Sequence, residues 1–285
     1  MPYEKVIVIG NGKIACECVK MVSNRDIKVE VYESQYSGVS LLQSVSKSAG
    51  ANFYRLCDRK EIMSHIYKMT ENIRTLIISA NNEYIIPKEI CKLKNVKIVN
   101  FHYSYLPDYR GMNIPTWVIW NGEDYTGVSW HFVNENIDDG DIIVQKKIEI
   151  TETTTAFDIV KSVMSLGCEL FNEVLDDLLN DRVICAKPNV GQNLHVYTRK
   201  QLPNDGMLDL TQNARMISSI LRAFDYGPMQ YIPNLKLKTS EGIADVLRYR
   251  IWKNEKIILG GKNWASDLIV EKGGFRFDLL LKYIC

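Results

Sequence analysis

The chain lacks a strong excess of charge of either sign and lacks any long apolar run. Its 35 Lys and Arg residues are balanced by 34 Asp and Glu residues, which argues against a general nucleic-acid-binding protein with a basic surface. No segment approaches the roughly 18 uncharged apolar residues of a membrane-spanning helix. The first residues, MPYEKVIVIGNG, lack the apolar core and cleavage site of a signal peptide. We therefore expect a cytoplasmic protein with no membrane partner.

Cysteine is present but indicates neither a disulfide framework nor a metal site. The seven cysteines are scattered along 285 residues, and their odd number is unlike the even sets of disulfide-stapled domains. Cys16 and Cys18 lie two residues apart, closer than a usual zinc-binding pair. We expect reduced thiols throughout, and we expect no metal at the functional site.

The first half of the chain alternates between strand-like and helix-like patterns. Short apolar runs predict buried strands at 5–10, 28–33, 75–80 and 96–100. Between them, apolar residues spaced for one helix face predict helices at 12–22, 41–49 and 59–69. Alternating βαβ units of this kind favour an α/β fold, with a mostly parallel sheet covered by helices on both faces.

The second half changes character near residue 190. Ahead of that point the patterns predict a short helix at 114–121, strands at 127–133 and 142–150, and a long helix at 153–179 that Thr153 or Thr154 caps. The stretch 186–192, AKPNVGQ, predicts a loop or linker. After it come a helix at 216–222 and short strand-like runs. We expect one domain at 1–190 and a smaller, β-rich C-terminal domain at 191–285.

A glycine-rich turn, GNGKIA at 10–15, follows the first strand and opens the first helix. It matches the pattern G-x-G-x-x-A, in which glycines let a phosphate approach a helix N-terminus. Glu33 ends the next strand, near the position of a ribose-binding acid. This pattern alone raises the hypothesis of an NAD-dependent dehydrogenase. The alternative is that the glycines only permit close packing, or bind a different anion.

A second group of polar residues follows the strand predicted at 96–100. Asn100 and His102 have the same parity, so they project from one face of an extended segment. They fall beyond the carboxyl end of a parallel strand, where open α/β sheets bind ligands. Asp138 and Asp141 lie in a later acidic turn. Each has a plain alternative when taken singly. Asn100 is typical of a turn at a strand end, and His102 of a buried histidine bonded within the core. The acidic turn is typical of a solvated loop or a weak calcium-binding loop.

Several short motifs occur in a fixed order along this region: NFHYSYLPDYRG at 100–111, Pro115, NGE at 121–123, TGV at 126–128 and IDDGDI at 137–142. The set resembles the folate-dependent formyltransferase family, which includes methionyl-tRNA, glycinamide ribonucleotide and sugar N-formyltransferases. The resemblance implies a Rossmann-like formyltransferase domain that uses 10-formyltetrahydrofolate as donor and an amine as acceptor. Tyr105, Ser129 and Asp139 depart from the residues usual in the family.

The resemblance implies a catalytic trio of Asn100, His102 and Asp138. Formyl transfer requires hydrogen-bond donors and a proton acceptor. Negative charge develops on the formyl oxygen when an amine attacks the formyl carbon. An amide and a protonated imidazole can donate hydrogen bonds to that oxygen. A carboxylate can raise the pKa of a neighbouring histidine and can take a proton from the attacking ammonium.

The resemblance also implies a slot for the folate donor. Its side-chain contacts are expected at Ile85 and Ile86, within the stretch 81–87. Asp138 and Asp141 are expected to line the same slot, largely through their main chain. The two isoleucines have a plain alternative as core residues.

Ser104, Tyr105 and Arg110 are the candidate contacts for the acceptor. Arg110 could hold a phosphate or carboxylate of the acceptor by a bidentate contact, and a surface role is its alternative. His131 and Trp130, on a predicted strand, are expected to be structural.

The acceptor is expected to be a small molecule. Family members that act on tRNA carry a basic loop after the second strand, whereas residues 34–42, SQYSGVSLL, contain no Lys or Arg. The tail at 204–285 has 12 Lys and Arg against 9 Asp and Glu, which is weak for binding RNA. We disfavour tRNA and expect a nucleotide-linked amino sugar, an amino acid derivative or a carrier-bound aminoacyl group. A methionyl-tRNA formyltransferase and a non-catalytic folate-binding protein are the rival hypotheses. The oligomeric state is open, a homo-oligomer included.

Overall fold

The computed structural model describes residues 2–34, 39–56, 58–189, 194–229, 231–261 and 264–284. Residues 35–38 of the loop at 34–42 lie outside the described residues. Residues 190–192 of the predicted linker do so as well. The chain divides into two compact units. Unit 1 comprises residues 1–110, 127–147 and 163–195, and unit 2 comprises 111–126, 148–162 and 196–285. The predicted domain boundary near residue 190 stays a prediction.

The strands of the first half are β1 (Lys5–Gly10), β2 (Lys28–Glu33), β3 (Asn52–Tyr54), β4 (Thr75–Ala80), β5 (Val96–His102), β6 (Arg110–Gly111), β7 (Tyr125–Phe132) and β8 (Ile142–Glu149). Seven of them form the main sheet, in the order β3-β2-β1-β4-β5-β7-β8. Neighbouring strands in the series β3-β2-β1-β4-β5 are parallel, and β7 is antiparallel to β5. Every residue of β1 and β4 is buried, as expected for strands covered on both faces.

The α-helices are α1 (Gly12–Ser23), α2 (Leu41–Ser48), α3 (Arg59–Thr70), α4 (Lys88–Cys91), α5 (Ile114–Trp120), α6 (Ala156–Leu179) and α7 (Ala214–Ala223), and a 3₁₀ helix spans Pro203–Gly206. Helix α6 begins later than its sequence predicts. Thr155 and Asp158 cap it reciprocally: the Asp158 N–H donates to Thr155 Oγ1, and the Thr155 N–H donates to Asp158 Oδ2, each over 3.1 Å. Thr153 and Thr154 bond instead to Thr151 in the preceding turn, so the predicted caps were wrong by two residues and by one residue.

The remaining strands are β9 (Val196–Tyr197), β10 (Met207–Leu208), β11 (Lys236–Thr239), β12 (Gly242–Lys253), β13 (Lys256–Leu259), β14 (Leu268–Lys272) and β15 (Phe275–Tyr283). Unit 2 contains a six-stranded sheet in the order β10-β11-β12-β15-β14, with β13 paired to β12. Ile217, Ile220 and Leu221 of α7 share one core cluster with Phe277 and Leu279 of β15. Burial of these apolar side chains stabilises unit 2.

The predicted α/β class, with a mostly parallel sheet and a β-rich C-terminal region, is confirmed. Strand β5 continues to His102, two residues beyond its predicted end. Both Asn100 and His102 therefore lie within the strand. The five cysteines within the described part of the chain are free. None of the helices in that part combines the length and the apolar character that a membrane crossing requires.

Candidate active site

The carboxyl end of β5 and the turn between β7 and β8 bring the predicted trio together within unit 1. Asn100 and His102 extend from the same face of β5, and Asp138 lies in the turn. His102 Nδ1 is 3.4 Å from Asp138 Oδ2, and Asn100 Nδ2 is 3.5 Å from Asp138 Oδ1. An amide, an imidazole and a carboxylate thus face one another, and their catalytic roles stay a prediction.

His102 is held by its other ring nitrogen. Its Nε2 lies 2.8 Å from the carbonyl oxygen of Tyr109. A carbonyl can only accept, so Nε2 carries a proton and Nδ1 is the nitrogen that faces Asp138. Burial lowers the pKa of His102 below its ordinary value, outweighing the opposite effects of Asp138 and the Tyr109 carbonyl. Asp138 does act in the direction expected from the sequence, but the net shift is downward.

The amide of Asn100 has a fixed orientation. Ser79 Oγ donates to Asn100 Oδ1 over 2.7 Å, and Asn100 Nδ2 lies 3.2 Å from His131 Nε2. His131 Nδ1 is 2.8 Å from the carbonyl of Phe132, so Nδ1 carries the ring proton and Nε2 accepts from Asn100. The amide N–H₂ therefore points toward Asp138, where it could also donate to a substrate oxygen.

Ser79 and His131 were missed as site residues by sequence reasoning. His131 is only 2% exposed, and its Nε2 lies 3.5 Å from Asp138 Oδ1. It pairs directly with Asn100 across β5 and β7, while Ser79 pairs with Asn100 across β4 and β5. Both contacts follow from strand register, which the linear sequence does not reveal.

The turn that carries Asp138 is tightly constrained. Asp138 has a φ of +47°, in the left-handed region that few residues other than glycine adopt. A Cβ atom at Gly140 would lie 1.7 Å from the carbonyl oxygen of Phe132. Glycine is therefore required where the turn closes against the end of β7, and this close approach helps to fix the position of Asp138.

The glycine-rich turn after β1 is explained by packing. A Cβ atom at Gly10 would lie 1.8 Å from the carbonyl oxygen of Ala80, so only glycine fits beside the end of β4. Glu33 is buried and already has two partners: Ser40 Oγ donates to it over 2.6 Å, and Arg55 forms an ion pair with it over 3.3 Å. These contacts occupy the carboxylate that a ribose would need, which favours the packing alternative.

The side chain of Asn82 stabilises the conformation of the segment at 81–87, which is expected to bind the donor. Asn82 Nδ2 donates to the Tyr84 carbonyl over 2.8 Å, and the Tyr84 N–H donates back to Asn82 Oδ1 over 3.0 Å. Ile85 is 61% exposed, whereas Ile86 packs against the core. Asp141 is partly exposed. Ile85 is thus mostly exposed and Ile86 is partly buried against the core; the donor contacts of both stay predictions.

The three predicted acceptor contacts differ in their surroundings. Ser104 is 1% exposed and donates to the Asp108 carbonyl over 2.7 Å, so its hydroxyl is bonded within the following turn, and its contact with the acceptor stays a prediction. Tyr105 is partly exposed, with the Lys147 ammonium 5.1 Å from its ring centre. Arg110 is not a free cation, since its guanidinium pairs with Asp139 over 2.7 Å. In the described ranges, no cluster of three or more potential metal ligands was found.

Residues 4–175 match the family model described as formyl transferase. Over 240 residues the chain is 25% identical to the methionyl-tRNA formyltransferase of Clostridioides difficile, covering 80% of this chain and 75% of that protein. Over 153 residues it is 35% identical to the GDP-perosamine N-formyltransferase of Brucella melitensis, covering 54% of this chain and 58% of that protein.

Among solved structures, the chain is similar to an N-formyltransferase from Helicobacter canadensis, determined in complex with folinic acid and dTDP-3-aminofucose. The TM-score is 0.70 at 19% identity, covering 98% of this chain and 100% of that one. At this identity the similarity supports the fold alone. The family match, by contrast, covers more than half of the chain and confirms the predicted formyltransferase resemblance and enzyme class. The chain therefore belongs to the formyl transferase family.

Proposed function

We propose that this enzyme moves the formyl group of 10-formyltetrahydrofolate to a primary amine of a small metabolite. The observation that carries the proposal is the convergence of Asn100, His102 and Asp138, with 3.4 Å and 3.5 Å separating the carboxylate from the imidazole and the amide. An amide, an imidazole and a carboxylate at this spacing can together stabilise a developing oxyanion and accept a proton beside it.

In the proposed reaction, the amine nitrogen bonds to the formyl carbon and negative charge collects on the formyl oxygen. Asn100 Nδ2 donates one hydrogen bond to that oxygen. Removing one such donor typically costs about 3 kcal/mol of transition-state stabilisation. Because the Asn100 amide is already oriented by Ser79 and His131, it need not reorganise during the reaction.

The pair of His102 and Asp138 handles the proton. His102 Nε2 is committed to the Tyr109 carbonyl, so Nδ1 and Asp138 Oδ2 must hold a proton between them or repel each other. The pair starts with one proton between Nδ1 and Asp138. His102 Nδ1–H donates to the oxyanion, and this proton passes to the folate nitrogen as the bond from that nitrogen to the formyl carbon breaks. The ammonium that forms when the neutral amine attacks gives one proton back to the pair. Protons and charge balance without a covalent enzyme intermediate.

A nucleotide-linked amino sugar is the acceptor class that we propose. One relative is a GDP-perosamine N-formyltransferase, and the similar Helicobacter canadensis enzyme was solved with folinic acid and a nucleotide-linked amino sugar. The near-neutral charge of the chain, 35 Lys and Arg against 34 Asp and Glu, also supports a small acceptor over tRNA. Methionyl-tRNA is the second candidate acceptor, because another relative is a methionyl-tRNA formyltransferase.

The test is an acceptor panel with the purified chain and 10-formyltetrahydrofolate. The panel contains GDP- and dTDP-linked amino sugars, free amino acids and methionyl-tRNA, and mass spectrometry follows formylation of each amine. We expect a formylated amino sugar and an equal amount of tetrahydrofolate. Formylation of methionyl-tRNA alone would favour the second candidate.

Two controls separate the remaining hypotheses. An arm without any amine measures hydrolysis of the donor, which direct transfer predicts to be slow. The Asp138→Asn variant should bind the donor while it loses most transfer. If donor binds to the wild-type chain and no amine in the panel is formylated, the chain behaves as a folate-binding protein and the proposed transfer is wrong.

A further inference from the structure

Two loops hold the opposite ring nitrogens of His102, and an ion pair joins these loops. The loop after β5 supplies the Tyr109 carbonyl to Nε2, and the turn after β7 supplies Asp138 to Nδ1. The next residue of each loop is charged. Arg110 and Asp139 form an ion pair of 2.7 Å between a guanidinium nitrogen and Oδ1, and all of these residues belong to unit 1.

We propose that Asp139 is a positioning residue of the formyl-transfer site. Its ion pair with Arg110 keeps the two loops at the spacing that places Asp138 against His102. This inference rests on the proposed function, and it adds to that function a residue whose side chain acts through Arg110 and Asp138. Asp139 is also one of the positions where this chain departs from the residue usual in the family.

The backbone beside the pair explains why the loops need an outside constraint. Tyr109 has a φ of +59° and Asp138 a φ of +47°. Left-handed conformations cost non-glycine residues about 1–3 kcal/mol each, and they persist only when surrounding contacts hold them. Each of the two residues that face the ring nitrogens of His102 is therefore strained, and each is followed directly by one partner of the ion pair.

The surroundings of the pair give it more strength than an ordinary surface ion pair. The side chains of Arg110 and Asp139 are 15% and 31% exposed, so solvent screens their attraction only in part. Asp139 Oδ2 also accepts a hydrogen bond of 3.1 Å from Asn136 Nδ2, which ties the carboxylate to its own turn. Among the residues that the structure describes, Arg110 Nε is buried and has no hydrogen-bond partner, so loss of Asp139 would leave a poorly compensated, largely buried charge.

The pair also has an electrostatic consequence at His102. Burial, His131 and Arg110 disfavour the protonated imidazole, and Asp138 and the Tyr109 carbonyl favour it. Removing Asp139 leaves the positive charge of Arg110 less neutralised and lets Asp138 move away from Nδ1. Both changes act in one direction, toward a lower pKa of His102.

The experiment compares wild type, Asp139→Asn, Arg110→Gln and the double variant. The matched control is Glu135→Gln, which removes one carboxylate from the same loop and breaks the exposed pair with Lys92, 3.4 Å long. Two quantities are measured: kcat and KM for transfer, and the titration of His102 by NMR in the absence of substrates. The chain has four histidines, so a His102→Gln spectrum suffices to assign the His102 signal.

We expect Asp139→Asn to lower kcat about tenfold while KM changes less than about twofold, in the range of coupled contacts. The His102 titration should move to lower pH. The double variant should lose no more activity than the worse single variant, because the pair acts as one unit. Glu135→Gln should match wild type in both measurements.

Three results would overturn the proposal: a kcat for Asp139→Asn within twofold of wild type, an unchanged His102 titration in that variant, or equal losses in Glu135→Gln. If the wild-type chain transfers no formyl group, the proposed function fails. The substrate-free titration still decides whether Asp139 sets the environment of His102, so the two failures are distinguishable.

Discussion

Replacing Asn100 tests the oxyanion role most directly, because two substitutions separate the loss of a donor from the gain of a charge. Asn100→Ala removes the amide and should reduce kcat by about 10²–10³-fold, the usual effect of losing one oxyanion donor. Asn100→Asp preserves the size and the acceptor for Ser79, but it replaces the donor that lies 3.5 Å from Asp138 Oδ1 with a carboxylate.

The structure allows an estimate of the added effect of that charge. Two unit charges 3.5 Å apart repel by about 5 kcal/mol at an effective dielectric constant of about 20. A shared proton relieves part of this repulsion, so we expect Asn100→Asp to be at least about tenfold slower than Asn100→Ala at neutral pH. The difference should narrow as the pH falls and one carboxyl becomes protonated.

Tetrahydrofolate release with a saturating amine gives kcat for each variant, and thermal unfolding checks that the variants remain folded. Asn52→Asp is the matched control, since it adds the same charge at an exposed position of β3 in the same unit. Asn100→Asp as fast as Asn100→Ala would refute the charge argument. An Asn100→Ala rate within tenfold of wild type would refute the oxyanion role itself.

Asp138→Asn retains an acceptor for Asn100 but loses the proton acceptor, so kcat should fall by about 10²–10³-fold with little change in the KM of the donor. Steady-state kinetics measures both constants, and a change in KM alone would contradict this prediction. Because burial lowers the pKa of His102, its contribution to stability is complete above the unfolded pKa of about 6.5 and is lost as the pH falls from there through the lower folded pKa. Urea unfolding at several pH values should show a smaller acid loss in His102→Gln than in wild type. Thr155→Val removes the α6 cap and should cost about 1 kcal/mol of unfolding free energy with kcat unchanged; equal urea midpoints would contradict it.

Local sequence patterns predicted the strands that carry the site. The boundaries predicted for β1, β2 and β4 agree with the structure, because each is a short apolar run bounded by turn residues. The same-face placement of Asn100 and His102 followed from the two-residue period of a strand. These inferences need only neighbours along the chain, which is why they could be drawn without coordinates.

The partners of the site residues depend on contacts between distant segments. Ser79 reaches Asn100 through parallel pairing of β4 with β5, and His131 reaches it through antiparallel pairing of β7 with β5. The direction of the His102 pKa shift depends on burial, which outweighs a visible neighbouring carboxylate. Burial also determines the surroundings of Ser104, whose hydroxyl is bonded within its own turn; the sequence does not show this bond.

The three proposed catalytic side chains are held in place by different means, and this difference has a mechanistic consequence. Asn100 and His102 lie on a central strand, where sheet hydrogen bonds and packing on both faces fix the backbone. Asp138 lies on a turn in a left-handed conformation, so its position depends on the close approach of Gly140 to Phe132 and on contacts of neighbouring side chains. A carboxylate on a turn can be repositioned by a change in one adjacent residue without altering the sheet. Proton transfer depends steeply on the distance between Asp138 and His102. We therefore expect substitutions in the 136–141 turn to affect proton transfer most, while the orientation of the Asn100 amide stays unchanged.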